Sequence, residues 1–590
     1  MRKHSIKLAL SAILVVGVVG CSDKDSSKGS QKAEAKKVEK VVVKKEVKLL
    51  SKEDRKKAVT KKFADLSKFG LELKEDGGKY ILIVKDDKKA TQLLLELVNQ
   101  QALDVKSREP IEKLVKGAKF GVEIDWDKYA QNKEDSVFVY YLGKGDESAE
   151  FKKFLDSKGL GSYLTFNNKD ELKVAKLKNI DTTFGKDKKA SHLVYKGARL
   201  DIEKYAHSYK EPRKYKLDFG NFIIKTVDEN TEITFSNSVC NADQPNAYLG
   251  KFICKFGDMT VKDKRLDATF VMKNITLDSN TVANGDKINS KGKLAIEDIS
   301  FSGKEAPSRK NKTEMTFKNF VLSIDSKNID KNIVDKMYAL TDSKLSSDEL
   351  IKKIYALSAE YLSCGSDSKG ILSLEKFEAK DGKGSVLSSD NYKANFSAFL
   401  GKVINFNWNS NTQKTKIVST KVGKEVDLEL NNDKFGYAIK DLYNFFPDMI
   451  KAMPTNKTGD INETVFKEIG AKVVNNGVKF KLGVVGFDSL KLNSPALKLD
   501  LGKLSIDLNT QLAKNSVDIS SPASQMMLMQ SLSGDGKIEL MKKDLNTIVK
   551  LLPPQVGMML AAFAKESGDN VVYEIKLEGG HLTINGKKLM

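Results

Sequence analysis

A short pattern of apolar and polar positions recurs along much of this chain: apolar, any, apolar, two mostly polar or Gly residues, apolar, any, apolar. It stands at Leu217/Phe219–Phe222/Ile224, Phe256–Met259/Val261, Phe270/Met272–Ile275/Leu277 and Leu294/Ile296–Ile299/Phe301. It returns at Met315/Phe317–Phe320/Leu322, Leu372/Leu374–Phe377, Val485/Phe487–Leu490/Leu492 and Leu499/Leu501–Leu504/Ile506. Period-two alternation makes a half-buried strand, because successive side chains point to opposite faces. The two-residue insert reverses the parity midway. Either each strand carries a bulge there, or its two halves serve opposite faces. Bulges in like positions bend a sheet the same way each time, so the pattern predicts a long, curved antiparallel meander of short bulged strands. A two-sheet sandwich with irregular strands is the alternative.

Other segments predict helices and a mixed N-terminal region. Ser51 to Lys68 reads as a basic amphipathic helix, Tyr80–Val84 as a strand introduced by the turn Asp76-Gly-Gly78, and Lys89–Val105 as a helix. Val137–Leu142 is a second strand. A helical pair spans Ile329 to Tyr361, its second member opening on the capping box Ser346–Glu349 and stacking Leu350, Ile354, Leu357 and Tyr361. Lys434–Met453 carries Ile439, Leu442, Tyr443, Phe446 and Ile450 at helical spacing, and a further helix from Lys537 to Lys565 is broken at Pro553-Pro554. Its last part, Val556–Phe563, is the most hydrophobic stretch after the leader, and at eight residues it is too short to span a bilayer. The fold class expected is α+β, dominated by an extended curved antiparallel sheet with packed helical pairs. The organisation expected is a leader at 1–20, a Lys-rich tether at 21–48, an α+β domain at 49–165 and a β-meander at 166–325. A helical insertion at 326–364 and a second β-rich region with helices and a C-terminal hairpin at 365–590 complete it.

The leader changes the picture. Arg2, Lys3 and Lys7 precede an uncharged run from Leu8 to Gly20, roughly 20 Å as a helix and short of the about 30 Å of a hydrocarbon core. The pattern fits an export signal. Its end, Val18-Val19-Gly20-Cys21, resembles the lipobox of bacterial lipoproteins. That resemblance implies acylation of Cys21, cleavage before it, and a water-soluble body held to a membrane by lipid. Ser22 rather than Asp after the Cys favours the outer membrane, facing the periplasm, where a cell has two. Residues 22–48 hold nine Lys and five acidic residues and almost nothing that could join a core, as a solvated tether does.

The formal charge is +21; the three leader cations account for part of it, leaving +18 beyond them. In a cytoplasmic protein this would suggest nucleic acid. Here the Lys residues are scattered singly along strands, without Arg clusters or the aromatic motif of an RNA-binding sheet, so a nucleic-acid partner is not expected. Cys240 and Cys254 flank a turn-like segment and could form a disulfide in an oxidising compartment, worth very roughly 3 kcal/mol. Cys364 is then left over.

Catalytic chemistry is sparse. His192, His207 and His581 form no metal-binding spacing, and no nucleophile elbow, phosphate loop or Cys-x-x-Cys appears. No cofactor, metal or catalytic residue is expected. His207, between Tyr205 and Tyr209, looks most site-like, but a surface role outweighs a general base. Asp381-Gly-Lys and Asp535-Gly-Lys read as sheet turns. Trp126 and Trp408 read as strand-borne, partly buried aromatics.

The C-terminus runs Leu551-Leu552-Pro553-Pro554, the strand Val571–Leu577, Gly579-Gly580, and a closing Leu582-Thr-Ile-Asn-Gly-Lys587. It resembles YdgA-like bacterial envelope proteins, over about residue 190 onward. The resemblance implies a periplasm-facing protein with no catalytic residues to transfer; such proteins begin with an uncleaved anchor, whereas this chain has a lipobox. The function expected is non-enzymatic: a lipid-anchored envelope protein whose curved sheet binds or shelters an apolar or amphipathic ligand. The alternative is a lipoprotein that scaffolds another envelope protein or the cell wall.

Overall fold

The computed structural model describes residues 51–589 apart from 64–66, 68–69, 78, 92–115, 146–148, 169–170, 185–189, 205–209, 227, 229, 305–310, 341–346, 421–424, 453–462 and 515–523. The leader, Cys21, the tether and most of the expected helix Lys89–Val105 lie outside the described residues. The chain is a β-dominated α+β protein with antiparallel strand pairing, divided into two compact units. One comprises residues up to Asp228 with Asn237–Ala247, the other Glu229–Ser236 with Tyr248–Met590.

In the first unit the strands Leu71–Asp76, Lys79–Val84, Lys119–Ile124, Val137–Gly143, Gly161–Phe166 and Leu172–Leu177 each pair with the next. Arg199–Lys204, Arg213–Asp218 and Val239–Gln244 extend the sheet. The first hairpin closes Asp76 on Lys79, with Gly77 at φ +55°, as the turn residues predict. Phe120, Tyr129, Leu164, Phe166 and Leu172 build a closed core between this sheet and the helices Lys52–Phe63 and Trp126–Ala130. Arg55 is buried and donates to the carbonyls of Tyr129 (2.6 Å) and Asn167 and to Asn132 Oδ1 (2.7 Å), with its guanidinium 4.5 Å from the Tyr129 ring centre. With the Ala130 carbonyl at 3.2 Å, four accepting partners fix this cation as a structural tie between helix and sheet.

The second unit is built on seven long strands: β1 (Ala268–Asn284), β2 (Lys287–Lys304), β3 (Lys312–Asp330), β4 (Ser366–Lys380), β5 (Val386–Leu400), β6 (Val403–Ser419) and β7 (Val426–Tyr443). Each pairs with its sequence neighbour. In the copies at 270–277, 294–301, 315–322 and 372–377 the expected short strands are therefore halves of longer ones, while in the other four copies the two halves are separate short strands. Beyond β7 the two halves separate: its end near Asp427 pairs with Ser489–Asn493 and its end near Lys440 with Val478–Phe487. Helices Lys331–Ala339 and Ser347–Tyr361 join β3 to β4, with Leu350 and Leu357 buried and Ile354 exposed. Ser346 of the expected capping box lies outside the described residues.

Two helical expectations fail in part. Lys434–Tyr443 is strand, and only Phe446–Ala452 is helical. The spacing 439, 442, 443, 446 fits a helix, but Phe435, Tyr437 and Ile439 also alternate, and in-register partners on β6 decide for the strand. Likewise Lys537–Met541 belongs to the strand Leu532–Met541, and the helices are Lys542–Leu551 and Pro554–Ala562. Asp535 thus sits in a strand opposite Asn509 and Lys576 instead of in a turn. Gly534 just before it is required by close approach, since a Cβ would lie 2.4 Å from the Asn509 carbonyl oxygen. Asp381 does make its turn, accepting from the N–H of Lys383 and Ser385.

Candidate functional site

The two-residue inserts of the repeat lie side by side in the second unit. Lys273 faces Asp298, Asp298 faces Lys318, and Lys318 faces Lys376. On β1 and β2 the register is the same above this line (Ile275↔Ile296) and below it (Lys273↔Asp298), with no residue added to either strand. A crease takes the place of the expected bulge. Asn274, Asn319, Asn391 and Asn432, on alternate strands, adopt φ of 45°, 50°, 52° and 51°. A short amide side chain tolerates this left-handed conformation better than other non-glycine residues do. Each amide also donates across the sheet: Asn274 to Glu297 (2.5 Å), Asn319 to Glu375 and Asn391 to Gln413 on the next strand, and Asn432 to Asp488 (2.9 Å), between the strands Val478–Phe487 and Ser489–Asn493.

The crease separates two sets of apolar rows. On one side, Ile233, Val261, Phe270, Phe301, Met315, Ala379, Leu387, Ile417, Leu428, Leu492 and Leu499 are register partners in succession, an unbroken apolar row over eleven strands. At about 4.8 Å per strand the row runs roughly 50 Å. On the other side, Leu277, Leu294, Leu322, Leu372, Ala394, Ser410 and Phe435 form a second row. A sheet face packed on a second layer buries such residues. Here none of the eleven is buried, and Leu387 and Ile417 are 42% and 39% exposed; in the second row Leu277 and Phe435 are exposed to a similar degree. Gly370, beside the second row, makes room for aromatic cover: the Phe396 ring lies where its Cβ would be, and Trp408 stacks on Phe396 at 6.0 Å.

Of the residues singled out by sequence, only Trp408 stands beside these rows among the described residues. Cys240 and Cys254 lie on the strands Val239–Gln244 and Gly250–Phe256, buried and disulfide-bonded, while Cys364 is the free cysteine among the described residues. His192 meets Asp181 at 2.8 Å on an exposed surface, His581 opens the exposed end of the last hairpin, and His207 lies outside the described residues. Trp126 begins a helix capped by Asp125 rather than lying on a strand, because the Asp125 carboxylate accepts the Lys128 N–H. Trp408 is on β6 as expected. The most strongly raised phenol in the first unit, Tyr140, is pushed up to about 12, first by burial and then by its neighbour Glu123, to which it donates at 3.1 Å. Lys158 at 2.7 Å and Lys79 at 3.3 Å meet the same carboxylate, so the cluster is an ion-paired one. In the helix Pro554–Ala562, Leu560 joins the core of Leu540, Val571 and Tyr573, while Val556, Met558 and Met559 are exposed. No group of three or more metal-ligating side chains occurs among the described residues, and no helix among them is long and apolar enough to cross a membrane.

No protein-family model, curated protein or solved structure matches the chain.

Proposed function

We propose that this is a non-enzymatic, lipid-anchored protein of the bacterial cell envelope whose long sheet shelters the hydrocarbon chains of a lipid. The observation that carries this reading is the eleven-strand apolar row, left half-open along its whole length. An apolar patch of this extent on a folded protein marks a place where something binds. Its form favours extended chains over a compact ligand: it is continuous and linear, and no charged residue interrupts it. The lipobox-like Val18–Cys21 would hold such a face close to a source of lipid.

The test separates bound lipid from the anchor. The protein is exported without the lipobox Cys, by C21S behind a cleavable signal, purified gently, and extracted for lipid mass spectrometry beside L387K/I417K in the same form. Acyl lipid recovered in near-stoichiometric amount from the first and several-fold less from the second is the expected result. No lipid from the first, or equal amounts from both, would overturn the reading.

A further inference from the structure

The face opposite the second apolar row carries different chemistry. Strand alternation puts Asp278, Lys293, Ser323, Ile371 and Asn395 behind Leu277, Leu294, Leu322, Leu372 and Ala394. One step further, Lys251, Asn280, Lys291, Asp325, Lys369, Ser397 and Asn407 are register partners in turn. These two rows line a cavity of about 750 Å³. A cavity over one face of a single sheet requires that the sheet be concave there. Its lining has four lysines against two aspartates, and Asp325 is engaged at 3.7 Å by Lys291. Among the described residues, no carboxylate lies within ion-pair distance of Lys251, Lys293 or Lys369. Three ammonium groups without an ion-pair partner therefore stand along the trough, on three of its strands, among amides, hydroxyls and the apolar side chains of Ile324, Ile371 and Phe396.

We propose that this trough binds a phosphorylated sugar or polyol. The lysines supply point charges for the phosphate. Asn280, Asn395 and Asn407 each offer a donor and an acceptor, the pair that a hydroxyl needs. Ile371, 46% exposed in the middle of the trough, offers an apolar surface for the C–H face of a ring. An aliphatic ligand would leave the amides and ammonium groups unpaired, and a simple inorganic anion would use only the lysines. The trough is lined by residues other than those of the hydrocarbon strip, so its occupancy is tested independently of the lipid reading.

Calorimetric titration of the full mature chain with glucose 6-phosphate, inorganic phosphate and glucose tests this, with K251Q/K293Q/K369Q and the charge-matched control K262Q/K318Q/K498Q. Glucose 6-phosphate is expected to bind more tightly than either fragment, with affinity falling about tenfold or more in the trough variant and little in the control. Flotation with phosphatidylinositol and phosphatidylcholine vesicles distinguishes a headgroup from a free ligand: inositol-dependent flotation lost in the trough variant assigns a headgroup, and its absence beside sugar-phosphate binding assigns a free one. Equal loss in both triple variants would reduce the effect to net charge and overturn the proposal. So would absence of binding by both glucose 6-phosphate and the inositol vesicles.

Discussion

The crease depends on single side chains. Asn319 pairs a left-handed backbone with an amide hydrogen bond to Glu375. Replacing it with Ala loses both the bond and the tolerance for φ +50°, at about 1–3 kcal/mol. Gly restores the backbone freedom and not the bond, so the urea midpoint should order wild type, N319G, N319A; a reversed order of the two variants would show that the conformation there is not left-handed. Asp330 offers a pH test. It caps the helix Lys331–Ala339, accepting from the N–H of Asn332 (2.9 Å) and Ile333 (3.3 Å), with Lys287 at 3.2 Å. Burial works to raise its carboxyl, but the Lys287 and backbone hydrogen bonds outweigh it and hold the group below its usual range. A depressed carboxyl stabilises the fold above its unfolded pKa, about 3.9, and that contribution is lost as pH falls through the lower folded value. D330N should therefore cost about 1 kcal/mol near pH 7 and progressively less below pH about 4, as read from urea unfolding across pH.

At the scale of elements, most strands and turns were legible because their signals are local. The closing hairpin is an example: Gly579 and Gly580 both take positive φ and bring Glu578 opposite His581, and Asn585 and Gly586 repeat the device. What misled was ambiguity of period. Residues 434–443 satisfy a helical spacing and a strand alternation together, and only the partner strand decides. Asp535-Gly-Lys has turn composition yet lies within a strand, where its glycines serve close packing. Gly370 is a third case that nothing local could reveal, since the ring it accommodates belongs to the next strand. A Cβ there would meet the Phe396 ring at 2.0 Å, so G370A should cost about 1–3 kcal/mol through overpacking. The same substitution beside F396L should cost less, and a thermal-denaturation cycle of the four proteins reads the coupling.

For the whole molecule, the repeat announced the sheet, and the number of apolar positions announced a core; neither could say whether the core closes. In the first unit it does, with Leu164 wholly buried. In the second, rows of equal hydrophobicity remain partly open, because among the described residues no second sheet covers them. Period-two alternation is blind to this difference, since a strand against a core and a strand against a ligand carry the same pattern. Energetics can separate them. Truncating a buried Leu removes its transfer free energy and leaves a cavity, so L164A should cost about 2–5 kcal/mol. Leu387 is 42% exposed and leaves no enclosed void, so L387A should cost about 1 kcal/mol or less. If urea unfolding of the lipid-free protein gave L387A a penalty like that of L164A, the row would be core rather than a binding face. A small penalty in lipid-free protein that grows when acyl lipid is added would instead tie the apolar row to ligand, because a ligand that contacts Leu387 only in the folded state stabilises wild type more than the variant.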